Sequence, residues 1–217
     1  MLSWSLNKVL RLASGIDNSS CTYQKLFRKT LFLIALASGA RLSEMAALSR
    51  DKGFAVFLPS GEVSLSPHPK FLAKNEDPQN RWAPWKILPL PQDLSLCPVE
   101  ALRSYLSRTD SWHSGSLFRR EKGGTITTAG IRQQILYFIK EADPDSVPTA
   151  HQVRAIATSV NFFQYMDFQA LSQYTGWKSS RVFMRHYFKN IDALKFYAVA
   201  AGKVVSPSQD DSETGEV

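Results

Sequence analysis

Residues 30–48 read TLFLIALASGARLSEMAAL. The first part is uncharged and almost wholly apolar, and a glycine at 39 closes it. The pattern extends back to about residue 22, which predicts a helix over 22–38 with Gly39 as its C-terminal stop. The uncharged run over 30–40 is too short to cross a bilayer, so the segment belongs to a core. A second, short helix is expected from Leu42 to about Ser49, with Leu42, Met45 and Leu48 on one side. Arg41 opens that helix. Glu44, three residues on, is set either to hold the Arg41 guanidinium or to cap the helix.

Working outward, residues 3–13 predict a short helix with Ser3 as its cap and Trp4, Leu6, Val9 and Leu10 apolar. Lys8 and Arg11 lie inside that pattern, which makes it an amphipathic helix and not a signal peptide. Downstream, GFAVFL (53–58) and EVSLS (62–66) flank the turn PSG and predict a hairpin, with KILPL (86–90) as a third strand. Between them runs a polar, proline-rich stretch, HPKFLAKNEDPQNRWAPW (68–85), that carries Lys70, Lys74 and Arg81. The rest reads as helical. CPVEALRSYL (97–106) has Pro98 in a first turn. TTAGIRQQILYFIKEA (127–142) carries Ile131, Ile135, Leu136, Phe138 and Ile139. Further helices are expected at 150–165, 167–175, 179–190 and 191–203. EKGGT (121–125) reads as a turn. No repeat or domain linker is visible. The expected fold class is mainly α with a small antiparallel β-sheet inserted early, an α+β domain over residues 1–205 whose first twenty or so residues form a lead-in helix.

The 217 residues carry a formal net charge of +7. The last twelve, SPSQDDSETGEV, hold four acids and no base, so residues 1–205 carry +11. A basic body with an acidic, Ser- and Gly-containing end points to a polyanion partner and a disordered tail over 206–217. Cys21 and Cys97 are the only cysteines, and the four histidines form no HExxH pair. A disulfide framework and a zinc site are therefore not expected, nor is any other metal site or cofactor. With no signal peptide and no membrane span, the chain is expected to be soluble and intracellular.

Residues 151–160 read HQVRAIATSV. On a helical wheel Val153, Ile156, Ala157, Val160 and Phe163 share one face, and His151 and Arg154 lie together off its edge. Ala155 and Thr158 beside them are small. Two donors over a shallow site suit a phosphate, which arginine matches bidentately. Taken alone, HxxR is also the ordinary polar edge of a helix.

Three stretches in order add to it: GARLSE (39–44), HQVR (151–154) and TGWKSSRVFMRHYF (175–188). Together they resemble the tyrosine recombinase (phage integrase) superfamily over about residues 25–200. That family has an arginine in a G-x-R-x-S-E context, then H-x-x-R, then a Gly-His or Gly-Trp turn, then a tyrosine nucleophile. The flanking text (WSLNKVLRL, ALASGARLSE, FLAKN, HYFKN) is most similar to recombinases of DIRS-like retrotransposons and related eukaryotic elements. There are departures. Trp177 to Tyr187 is ten residues, one more than in many members. Gln152 stands where an acid is common. No part of these residues is expected to form the family's N-terminal DNA-clamping domain.

The resemblance implies the DNA breaking–rejoining fold and a metal-free transesterification that needs no ATP. Tyr187 would attack a DNA phosphate, give a 3′-phosphotyrosine and free a 5′-hydroxyl. Arg41 and Arg154 would clamp the non-bridging oxygens, and His151 would be the base or proton relay. Trp177 would add an indole N–H. The 5′-oxygen would take its proton from a lysine between two strands: Lys74, with Lys70 and Lys86 as alternatives. Glu44 would support Arg41. Lys70, Arg81, Lys86, Lys178, Arg181 and Arg185 would contact the DNA backbone. Tyr174 is the nearest competing tyrosine.

The implied partner is double-stranded DNA, with no membrane. A homo-oligomer, a tetramer on DNA, would form through the helix IDALKFYAVAAGKVV, which is equally suited to packing on its own domain. The site would be nuclear in a eukaryote. A type IB topoisomerase shares the Arg/Lys/His/Arg/Tyr chemistry, and a recombinase that has become a catalytically silent DNA-binding module shares the sequence pattern. A helical protein-interaction domain would leave the basic body and the ordered motifs unexplained.

Overall fold

The structure, a computed structural model, describes residues 3–165 apart from 75, 80 and 82; over 160–165 it describes the helical backbone. The helices expected at 167–175, 179–190 and 191–203 and the tail at 206–217 lie outside the described residues. Six helices and three strands are seen among the described ones: α1 (Leu6–Ser14), α2 (Tyr23–Ser38), α3 (Leu42–Ala46), β1 (Ala55–Phe57), β2 (Val63–Leu65), β3 (Trp85–Ile87), α4 (Pro98–Arg108), α5 (Thr128–Ala142) and α6 (Ala150–Tyr165).

The central element is α2. From Leu31 to Ala37 it is buried on every side, as a helix apolar all round must be. It packs against α4, α5, α6 and β3. At one end Phe27 sits in an aromatic group with Tyr23, Tyr105 and Phe118. Nearer the middle, Phe32 meets Trp4 and Phe138. Lys29 is fully buried within the same helix. Its Nζ donates to the Ile16 carbonyl at 2.7 Å, and burial pushes its pKa down.

The sheet has the order β1-β2-β3 and is antiparallel throughout, with Phe57 opposite Val63 and Val63 opposite Ile87. Its alternation follows the two-residue period: Val63, Leu65, Trp85 and Ile87 are buried and Lys86 is exposed. The Leu58 carbonyl accepts from Gly61 N–H, and Leu58 N–H donates to the Glu62 carbonyl. Gly61 has φ +91°, the left-handed residue such a hairpin turn requires. The turn at 121–125 is closed by Gly123 N–H on Arg120 and Arg120 N–H on Gly124.

Several boundaries differ from expectation, and the strands expected at 53–58 and 62–66 cover only Ala55–Phe57 and Val63–Leu65. The cap of α1 is Ser5, whose Oγ accepts from Lys8 N–H, and not Ser3. Trp4 is buried ahead of the helix, which leaves Ser3 to bond elsewhere. The helix from Leu42 ends at Ala46, because Leu48 and Ser49 pair in β-bridges with Pro67 and Ser116. The third strand covers Trp85–Ile87, not 86–90; Pro89 has no N–H to give a ladder.

The N-terminus of α1 is fixed to the end of α5. Asp143 accepts from Ser5 N–H at 2.9 Å and from Lys8 Nζ at 2.6 Å. The Lys8 bond, then the Ser5 bond, hold the Asp143 carboxyl below its ordinary value of 3.8. A depressed carboxylate pKa stabilises the fold above the ordinary value, and that contribution is lost as pH falls through the depressed one. Asp143→Asn is therefore expected to lower Tm at neutral pH and to flatten the decline of stability on acidification. Thermal melts across the acid range check this; parallel curves for the two proteins would contradict it.

Candidate active site

The site is built around one elbow. α2 ends because Gly39 adopts φ 58°, ψ 21°, a left-handed conformation natural to glycine. Its N–H closes the helix on the Ala35 carbonyl at 3.0 Å, and Ser38 Oγ accepts from Ala40 N–H. The Gly39 carbonyl is turned away from its own helix. It accepts from Arg154 Nη1, on α6, at 2.5 Å.

Two residues past the elbow, Arg41 is the extended N-cap of α3. Both oxygens of Glu44 serve it: Oε2 accepts from the Arg41 backbone N–H at 2.8 Å and Oε1 from Nη1 at 2.6 Å. Glu44 thus caps the helix and holds the guanidinium at once. Its side chain is 5% exposed and that of Arg41 22%, so a buried carboxylate fixes a guanidinium at the rim. Arg41 thus lies two residues beyond the carbonyl that Arg154 holds.

α6 differs from its wheel. Val153, Ile156 and Ala157 are buried as expected, but so are Arg154, Ala155, Thr158 and Ser159. Arg154 is not a polar edge. It reaches inward to the end of α2, against which α6 packs. Thr158 Oγ1 and Ser159 Oγ donate one turn back to the carbonyls of Arg154 and Ala155, which satisfies both buried hydroxyls. His151 is exposed, one turn before Arg154.

Lys74 is exposed in the connection between β2 and β3. It sits in a tight turn in which Ala73 N–H donates to Glu76 Oε2 at 2.9 Å and Glu76 N–H to the Ala73 carbonyl at 3.0 Å. Arg81 donates to the Pro69 carbonyl at 3.1 Å and lies 3.8 Å from Glu76, which folds the connection on itself. Lys70 is exposed in the same connection, and Lys86 on β3 is exposed 3.7 Å from Glu62. Trp177, Tyr187, Lys178, Arg181 and Arg185 lie outside the described residues. Among the described residues, no three of His, Cys, Asp and Glu gather as a metal-binding group, and no helix is long and apolar enough to cross a membrane.

Two participants escape a reading of the sequence. The Gly39 carbonyl is visible only as a helix stop, because its partner lies 115 residues away. Gln152 is visible only as a departure where an acid is common, yet its Oε1 gathers donors from the N-terminal segment.

A buried arginine and a rim arginine anchored on one elbow are suited to an anion with several equivalent oxygens. A mainly helical domain with a three-stranded antiparallel sheet carrying this elbow has the fold of tyrosine recombinase catalytic domains. The structure of XerA recombinase matches with a TM-score of 0.60 and 19% identity, over 89% of this chain and 61% of that one. XerH site-specific recombinase, bound to its difH substrate in a pre-cleavage complex, matches with a TM-score of 0.60 and 17% identity, over 89% and 50%. A lambda integrase tetramer bound to a Holliday junction gives 0.51 and 10%, over 87% and 49%. The chain thus spans less than two thirds of the length of each. The sequence matches no protein-family model and no curated protein.

Proposed function

We propose that this chain is the catalytic domain of a tyrosine recombinase that cuts and rejoins DNA through a 3′-phosphotyrosine intermediate. The observation that carries the reading is the bond from Arg154 to the Gly39 carbonyl, two residues before an Arg41 held by Glu44, in a fold shared with site-specific recombinases.

The chemistry follows from what the step demands. A tyrosine hydroxyl has a pKa near 10, so its anion costs about 4 kcal/mol to form at neutral pH. In this reading His151 takes the Tyr187 proton, helped by the surrounding cations. Attack on phosphorus gives an anionic, crowded transition state. Arg154, held by the Gly39 carbonyl, and Arg41, held by Glu44, meet the non-bridging oxygens without having to reorganise. Trp177 adds an indole N–H. Lys74, exposed on its turn, protonates the 5′-oxygen as the P–O bond breaks. A second DNA end then displaces the tyrosine, and the proton transfers run in reverse.

Lys70, Arg81, Lys86, Lys178, Arg181 and Arg185 fall to the DNA backbone in this reading, in keeping with the basic body. The C-terminal helix would dock on a neighbouring copy to build a tetramer on DNA. The flanking segments favour an origin in a DIRS-like mobile element, hence integration of a circular DNA intermediate in a nucleus.

The test is incubation with a library of nicked, suicide-type duplexes in chelator, followed by isolation and sequencing of SDS-resistant complexes. Adducts at a preferred sequence are expected. Adducts without site preference, together with relaxation of supercoils, would identify a type IB topoisomerase instead. Salt-sensitive binding with no adduct would identify a silent DNA-binding module.

A further inference from the structure

We propose that Gln152 is a positioning residue that couples the N-terminal segment to the helix bearing His151 and Arg154. The coupling deepens the recombinase reading and, as a statement about catalysis, rests on it. Gln152 Oε1 accepts from the indole Nε1 of Trp4 at 2.9 Å and from the backbone N–H of Thr149 at 3.0 Å. Both partners are obligate donors, so the side-chain atom facing them is the oxygen, and its two lone pairs are filled. The Thr149 bond closes the first turn of α6 in the manner of a capping box. The same amide thus joins the start of α6 to a residue 148 positions earlier.

The corner between α5 and α6 is tied within itself, by buried Ser146 bonding back to the Asp143 carbonyl and by Lys140 Nζ on the Pro144 carbonyl, but much of it faces outward. Pro144, Asp145 and Thr149 are exposed, and Val147 is 76% exposed. The N-terminal segment supplies what the corner lacks. Ser3 Oγ donates to the Val147 carbonyl at 2.6 Å and lies 3.1 Å from Gln152 Oε1. Ser5 N–H and Lys8 Nζ bond Asp143, where the corner begins. Trp4 is buried and meets the Phe32 ring of α2 edge-on at 6.2 Å, so the strap is anchored on the core helix that ends at Gly39. Ser3, Trp4 and Ser5 therefore span from the core to both ends of the corner. His151 adjoins Gln152 and stands on the helix turn that this strap ties down. Arg154, one turn on, is fixed independently by Gly39. Displacing the strap should move the base while leaving the phosphate clamp in place.

The test uses the full chain and three variants. Gln152→Leu removes the acceptor, Trp4→Phe keeps the ring on Phe32 but removes the indole donor, and Gln152→Glu keeps the acceptor. Hydrogen exchange over peptides covering 149–158 is expected to speed up roughly fivefold to tenfold in the first two, the effect of one net hydrogen bond, and to stay near wild type in the third. Adduct formation on suicide DNA is expected to slow about tenfold in Gln152→Leu, with DNA affinity unchanged within twofold, and to recover in Gln152→Glu. Unchanged exchange over 149–158 in Gln152→Leu and Trp4→Phe would overturn the coupling. Exchange that rises equally in α2 and α4 would also overturn it, since that reports global loosening. Faster local exchange with wild-type cleavage would make the strap a structural anchor only and overturn the positioning role. A wild type that forms no adduct would defeat the recombinase reading, while the exchange experiment would still decide the coupling.

Discussion

Arg154→Lys is expected to slow strand cleavage by about 10²–10³-fold, the usual effect of removing one preorganised transition-state donor. DNA affinity should change by no more than a few-fold, because the exposed basic residues proposed to meet the backbone are untouched. Lysine can still reach the Gly39 carbonyl with its single ammonium. It cannot hold that carbonyl and present a planar fork to a phosphate together. Arg154→Ala adds a stability defect. It leaves the Gly39 carbonyl without its Arg154 donor at 2.5 Å, and an unsatisfied buried polar group costs about 1–3 kcal/mol. Urea melts and single-turnover adduct rates on the same preparations separate the two effects. A lysine variant that cleaves at the wild-type rate would make Arg154 a strut between α2 and α6 and nothing more.

Arg41→Ala is expected to abolish cleavage and to destabilise the fold as well. Glu44 is 5% exposed. Without the Arg41 guanidinium its carboxylate keeps the Arg41 backbone N–H bond alone of the two it makes to that residue. Removing one partner of a buried pair costs about 3–5 kcal/mol. Arg41 is 22% exposed, which puts the expectation at the low end, about 3 kcal/mol. Arg41→Ala/Glu44→Ala should be more stable than Arg41→Ala alone, because no charge is stranded, and yet remain inactive. The double-mutant cycle reads the coupling. Full cleavage by the double variant would remove Arg41 from the machinery; a double variant less stable than either single one would mean that the cap Glu44 gives α3 outweighs the stranded charge.

How far the sequence shows all this depends on the range of each interaction. Gly39 as the end of α2 and Pro98 in the first turn of α4 are local events, and both are legible from residue type alone. The alternation of β2 is legible for the same reason, but the length of β3 is not, since a ladder depends on which partner N–H groups are in register. Ser5 takes the cap from Ser3 because Trp4 finds a site on Phe32, a tertiary fact. Lys29 looks like a polar position in an apolar helix; only the Ile16 carbonyl explains its burial. The Arg41–Glu44 pair is visible from its spacing of three, though not that it does both jobs at once. The inward turn of Arg154 and the strap on Gln152 span 115 and 148 residues, and no periodicity within one helix encodes them. The fold and the order of the motifs were legible; the elbow that unites the two arginines was not.

In the proposed reaction Tyr187 becomes covalently joined to DNA. The direct measurement is digestion of the trapped adduct with nuclease and trypsin, followed by mass spectrometry of the nucleotide-bearing peptide. Arg185 and Lys189 bound the tryptic peptide HYFK, residues 186–189. This peptide is expected to carry the phosphonucleotide, and Tyr187→Phe is expected to bind DNA but yield no adduct. A phosphonucleotide on the peptide from 155 to 178, which holds Tyr165 and Tyr174, or an adduct that survives in Tyr187→Phe, would contradict it.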